Sequence, residues 1–148
     1  MVQHAEGDNL EISLLLAQTL GKTQAYADER TTCQDILQKH EGESRALYFL
    51  AEAEHGLHED LMAIAHLTQC LAQEPQYQHA LLLRAEAYAA LGKTDEAVAD
   101  LKAVQALNPF SQEAVLKLGS LYEQTAQWDK ALAVYDEAIH MQPNFAAA

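Results

Sequence analysis

Pro75, Pro109 and Pro143 are the only prolines in the chain, and they stand 34 residues apart. Proline cannot continue a helical hydrogen-bond ladder, so three at one interval mark the ends of equal units. Other series keep the same interval. Leu47, Leu81 and Val115 do so, as do Leu67, Leu101 and Tyr135. So do the small residues Ala51, Ala85 and Gly119, and Ala63, Ala97 and Ala131. Parallel series matched in size and polarity are not coincidence. A chain of this kind folds by stacking like units, and it offers a partner one long surface more readily than it builds a catalytic site.

Within a unit, apolar residues recur twice at helical spacing with a turn between. From Gln112, the residues Val115, Leu116, Leu118, Leu121 and Tyr122 mark one helix face. Ala126-Gln127 forms the turn, and Asp129 and Lys130 open a second helix. Ala131, Leu132, Val134, Tyr135, Ala138 and Ile139 supply its buried side, and Pro143 ends the unit. The preceding unit reads as a helix from Gln78 to Leu91, a turn at Gly92 and a helix from Thr94 to Leu107. Thr94 serves as the start signal, with Asp95 and Glu96 complementing the helix dipole. One unit earlier, the helices run from Ser44 to Leu57 and from Glu59 to Gln73, closing at Glu74-Pro75.

On these residues the chain resembles the tetratricopeptide repeat family. The last unit carries its pattern in Val115, Leu118, Gly119, Tyr122, Ala131, Tyr135 and Pro143. The middle unit has Leu81, Ala85, Tyr88, Ala97, Leu101 and Pro109, with Arg84 in place of the usual Leu. The first clear unit has Leu47, Leu50, Ala51, Ala63, Leu67 and Pro75, with Glu54 where Tyr is expected. Upstream the match weakens to Leu16, Ala17, Leu20, Tyr26, Cys33 and Ile36. There Glu29 stands where Ala belongs, and Glu41-Gly42 replaces the proline turn. The resemblance implies an all-α, right-handed superhelix (an α-solenoid) of antiparallel helix pairs, spanning 1–148 as one domain. Its expected divisions are a degenerate N-terminal repeat over 10–43, repeats over 44–77, 78–111 and 112–145, and the start of a truncated further repeat at 146–148.

Composition narrows the function. The net charge of -13 argues against a nucleic-acid partner, since a phosphate-binding face needs clustered Lys and Arg, and equally against adhesion to anionic membranes. A solvated acidic surface is the plain reading, and a basic partner the sharper one. With 49% hydrophobic residues and a mean hydropathy of -0.20, the chain is a folded rather than a disordered one. Met1 to Leu10 lacks the basic and apolar segments of a secretory signal, so the expected compartment is the cytoplasm, or the periplasm or exterior if a leader has been removed. Cys33 and Cys70 fall on apolar stripes, where a free thiol acts as a small hydrophobe.

In the family, the first helix of each unit lines the inner, concave wall. By period, one position on that helix reads Leu14, Tyr48, Leu82, Leu116, an apolar line. One turn on come Gln18, Glu52, Glu86 and Ser120; three residues before come Glu11, Arg45, His79 and Glu113. With Lys117, these residues predict a groove for an extended or helical peptide bearing apolar anchors and some Lys or Arg. Tyr48 is the leading contact candidate. The carboxylate clamp by which some members grip chaperone tails is lacking, since Tyr48, Glu52, Leu83, Glu113 and Lys117 stand at its positions. On the last helix Leu132, Tyr135, Ile139 and Met141 form an apolar face suited to a further unit or to self-association.

His55, His58, Glu59, Asp60 and His66 form the one stretch with metal-ligand chemistry, but it falls at a turn where such residues are ordinary. No metal, no other cofactor and no catalytic set is expected. The sequence therefore reads as a protein-interaction module or scaffold. The alternatives are a structural spacer of a larger protein and a metal-binding accessory domain.

Overall fold

A computed structural model of the chain describes residues 2–141, with side chains for 9–141. Pro143 and the expected opening of a further repeat at 146–148 lie outside the described residues. Among those described, all regular structure is helical: α1 (Val2–Lys22), α2 (Tyr26–Lys39), α3 (Ser44–Gly56), α4 (Asp60–Gln73), α5 (Gln78–Ala90), α6 (Thr94–Leu107), α7 (Gln112–Gln124) and α8 (Trp128–Met141). None of the helices is long and apolar enough to cross a membrane. The chain divides into two compact units, Met1–Leu83 and Arg84–Ala148. In the first, α1 packs on α2 and α3, α2 on α3, and α3 on α4; in the second, α6 packs on α7 and α7 on α8.

The interval of 34 governs the backbone as well as the side chains. Gln24, His58, Gly92 and Ala126 occupy one position of the period, and all four have positive φ, between 58° and 75°. That left-handed residue reverses the chain between the two helices of a pair, although only one of the four is the glycine that adopts it without strain. His40, Glu74 and Asn108 likewise share a position. Each ends its helix with φ between -141° and -128° and donates its N–H to the carbonyl of Ile36, Cys70 or Val104 respectively. Where Glu41 replaces proline, Gly42 takes a φ of 75° and turns the chain instead.

Three details of the helix starts differ from the sequence reading. Helix α4 begins at Asp60, not Glu59, α8 begins at Trp128, not Asp129, and Thr94 is not a cap. Lys93 holds the cap position of α6 and makes no side-chain cap bond, which leaves Asp95 and Glu96 in the first turn to complement the helix N-terminus.

The small residues of the period lie in the interior. Ala51, Ala63, Ala85, Ala97 and Ala131 are buried, as is Gly119. A methyl added at Gly119 would strike the Tyr135 ring. Leu67, Leu118 and Val104 are among the largest fully buried side chains, and burying a side chain of that size contributes about 1.5–3 kcal/mol.

Candidate functional site

The predicted apolar line lies only partly at the surface. Leu14 is 4% exposed and Leu82 7%, so both are packing residues and not contacts. Leu14 is drawn into a cluster with Ile36 and Ala46, because α1 must bury an apolar side on α2 and α3. Tyr48 is half-buried, whereas Leu116 is 60% exposed.

In the first unit, the candidates Arg45, Tyr48 and His79 come together. Tyr48 stacks on Tyr77, with ring centroids 5.4 Å apart and an interplanar angle of 26°. His79 lies 6.4 Å from the same ring, and Phe49 meets it edge-on at 5.5 Å. Arg45 bridges Glu11 and Glu43, at 3.1 Å to each. Those carboxylates raise its pKa further. Beside it opens a polar cleft of about 1060 Å3, lined by Ser44, Arg45, Glu74, Tyr77 and His79 among others. Ser44 Oγ donates to Glu74 Oε1 across this cleft at 2.9 Å.

Tyr77 was not among the residues singled out from sequence. It directly precedes α5, where Glu43 and Ser111 precede α3 and α7. Those two accept backbone N–H bonds, from Arg45 and Ala114 respectively. A tyrosine is a poor substitute in that capping role. Its ring is spent on Tyr48 instead, and burial pushes its hydroxyl up to about 12, so it stays a neutral donor. An aromatic residue in a capping position was the available signal.

In the second unit, Leu116 overhangs a cavity of about 330 Å3 whose walls include Ala85, Ala89, Leu101 and Leu121. Lys117 Nζ pairs with Glu86 at its rim and lies 3.9 Å from Glu113. The last helix exposes Leu132, Ile139 and Met141, while Tyr135 is half-buried against Gly119.

Two charged residues that depart from the repeat pattern, Arg84 and Glu54, are paired inside the fold. Arg84, in the place of Leu50 and Leu118, binds Asp100 through Nε and Nη2 at 2.8 and 2.7 Å. Asp100 raises the Arg84 pKa further. Glu54, in the place of Tyr88 and Tyr122, is 1% exposed and receives His66 Nδ1 at 2.6 Å. That bond raises the His66 pKa, with burial opposing.

The histidine-rich turn disperses its ligands. His55 Nδ1 lies 2.5 Å from Asp60 Oδ1, Arg30 takes Glu59, and His58 is the left-handed turn residue. Among the described residues no three His, Cys, Asp or Glu side chains gather as metal ligands. Both cysteines are free and buried, and burial pushes Cys33 up to about 12 and Cys70 up to about 11. Neither offers a thiolate at neutral pH.

Known proteins share this fold. The chain covers 80% of a crystal structure of MamA protein with 99% of its own length, at 22% identity and a TM-score of 0.83. TTC0263, a thermophilic tetratricopeptide repeat protein of Thermus thermophilus, is similar at 24% identity and a TM-score of 0.77, over 90% of this chain and 75% of that one. The first such domain of Spaghetti (RPAP3), bound to the HSP90 peptide SRMEEVD, is similar at 20% identity and a TM-score of 0.73, over 79% and 93%. At these identities the likeness establishes the fold alone. No curated protein matches the sequence. A family model described as Psidin, N-terminal TPR repeats region, matches residues 57–147, more than half of the chain. The chain belongs to the tetratricopeptide repeat family.

Proposed function

We propose that the chain is a protein-interaction module that receives a peptide or helix of a partner on the first-helix faces of its repeats. The observation that carries the reading is Leu116, a large apolar side chain left 60% exposed above an apolar cavity and beside the Lys117–Glu86 ion pair. An apolar anchor flanked by Lys or Arg suits that surface, as the acidic excess of the chain also favours a basic partner. In the first unit, Tyr48, Tyr77 and His79 supply a second anchor site, with Arg45 and Glu52 nearby in the period. The reading assigns no catalytic step. One structural neighbour is bound to an HSP90 peptide, but here Glu52 and Glu113 stand where a carboxylate clamp would need cations, and they would repel a chaperone tail. The repeats would run over 44–77, 78–111 and 112–145, with 10–43 as an N-terminal cap.

A displayed peptide library selected on the purified chain tests this, with anisotropy titrations of the selected peptides. Leu116→Asp is expected to weaken binding at least ~10-fold with helicity unchanged, and Tyr48→Ala to weaken peptides held by the first unit. If neither substitution moves any affinity by more than about twofold, the chain is a spacer and the reading fails.

A further inference from the structure

Glu29 is the departure from the repeat pattern that has no opposite charge. It stands in the series of Ala63, Ala97 and Ala131, and like them it is buried, at 0% exposed. Neither of its oxygens has a hydrogen-bond donor. A buried carboxylate in that state costs several kcal/mol, so the group must be neutral or have a partner. The backbone of α1 leaves it room at Gly21, where an added methyl would meet Glu29 Oε1 at 2.7 Å and would also touch Glu52 Oε1. The carboxyl groups of α2 and α3 therefore lie against one point of α1.

On α1, Lys22 follows Gly21 and is exposed. On α2, the Cys33 thiol is buried and protonated, and Arg30 is held by Glu59. On α3, Glu54 is matched by His66 of α4. The described charge that reaches Glu29 is that of Glu52.

We propose that Glu29 and Glu52 bind one proton between them, and that this proton fastens α1 and α3 onto α2 and makes the start of the chain a pH-responsive element. The protonated Glu29 donates its O–H to the Glu52 carboxylate, which satisfies the buried group. Without the proton, two carboxylates face each other beside Gly21, which weakens the packing of α1 on α2 and α3.

The direction of the pH effect follows from linkage. Burial first, and then Glu52, push the Glu29 carboxyl from 4.5 up to about 9. Between those values the folded chain holds a proton that the unfolded chain has released. The contribution of Glu29 is thus fully present below pH 4.5 and is lost as pH rises toward about 9. In that window the folding constant falls by up to about tenfold per pH unit. His66, whose pKa is raised by Glu54, also loses stabilisation as pH rises through its folded value. A difference measurement is needed to isolate Glu29.

Urea denaturation of the whole chain and of Glu29→Gln, from about pH 5.5 to 9, supplies it. Gln keeps the shape and a donor but has no proton to lose. The stability of the variant relative to the parent should rise with pH by a factor approaching ten per unit. Hydrogen exchange of α1 amides, corrected for intrinsic rates, should quicken with pH in the parent alone. A ratio constant within about twofold, or α1 exchange equal in both, overturns the proposal. Carboxyl NMR on glutamate-labelled parent protein stands independently of how the variant folds. One glutamate should remain protonated at about pH 7.5; if all are ionised by about pH 6.5, no proton is shared.

Discussion

Asp100 is 8% exposed and accepts two bonds from Arg84, so removing it leaves a guanidinium in the interior without its carboxylate. Breaking a fully buried pair costs about 3–5 kcal/mol. Arg84 retains 19% of its side-chain surface and can turn its head partly toward water, so ~2–4 kcal/mol is expected for Asp100→Val. The counterpart Arg84→Leu strands the more deeply buried Asp100 carboxylate and should cost ~3–5 kcal/mol. The double variant has a different outcome. One interval on, the same two positions are Leu118 and Val134, so Arg84→Leu with Asp100→Val installs a pair the chain already uses. Exchange of a buried ion pair for well-fitted apolar residues is neutral or stabilising, by up to ~1–4 kcal/mol. Urea denaturation followed by circular dichroism measures all four corners of the cycle. For a chain of this size Asp100→Val should lower Tm by roughly 2–4 °C per kcal/mol, and the double variant should recover it. The expected non-additivity is ~3 kcal/mol or more. If either single variant lies within ~0.5 kcal/mol of the parent, or the double loses the sum of the singles, the pair is not the interior contact argued for.

Two further outcomes are expected. Gly119→Leu must displace the Tyr135 ring, and overpacking of that kind costs ~1–3 kcal/mol; the loss should shrink when Tyr135→Ala is added, and an unchanged melting temperature in the single variant would contradict the crossing geometry. We propose that the exposed Leu132, Ile139 and Met141 of α8 mediate self-association. Sedimentation velocity should then detect a concentration-dependent species that Leu132→Asp with Ile139→Asp removes, and a monomer at all concentrations sinks the idea.

Much of the helical plan was legible because the interval of 34 acts on side chains and backbone together. The helix from Thr94 to Leu107 was read to the residue, since a glycine turn and a proline stop bracket it. Surface exposure was less legible. Leu14, Tyr48, Leu82 and Leu116 share a position, yet two are buried, one is half-buried and one is open. A position in a period fixes the direction of a side chain along its helix, whereas exposure depends on what the neighbouring helices place over it. Tyr77 escaped for a related reason: it precedes α5 while its partner Tyr48 lies in α3, and nothing in the local pattern ties the two.

The departures from the pattern carry more information than the matches. Arg84, Glu54 and Glu29 each read as a defect when its own series is considered alone. Two of them are answered by a second departure within the same repeat: Asp100 lies 16 residues from Arg84, and His66 lies 12 from Glu54. Asp100 and His66 occupy one position of the period, where the last repeat has Val134. An opposite charge at that position thus lets a charged residue enter a core position of the preceding helix. Glu29 falls outside that arrangement, because it sits on α2 itself, the helix whose residue at that position is the uncharged Thr32. Its neighbour Glu52 has the same sign as itself. A buried acid beside a second, partly buried one has its protonation favoured, and the contact of Glu29 with Glu52 is therefore where we expect folding of this chain to respond to pH.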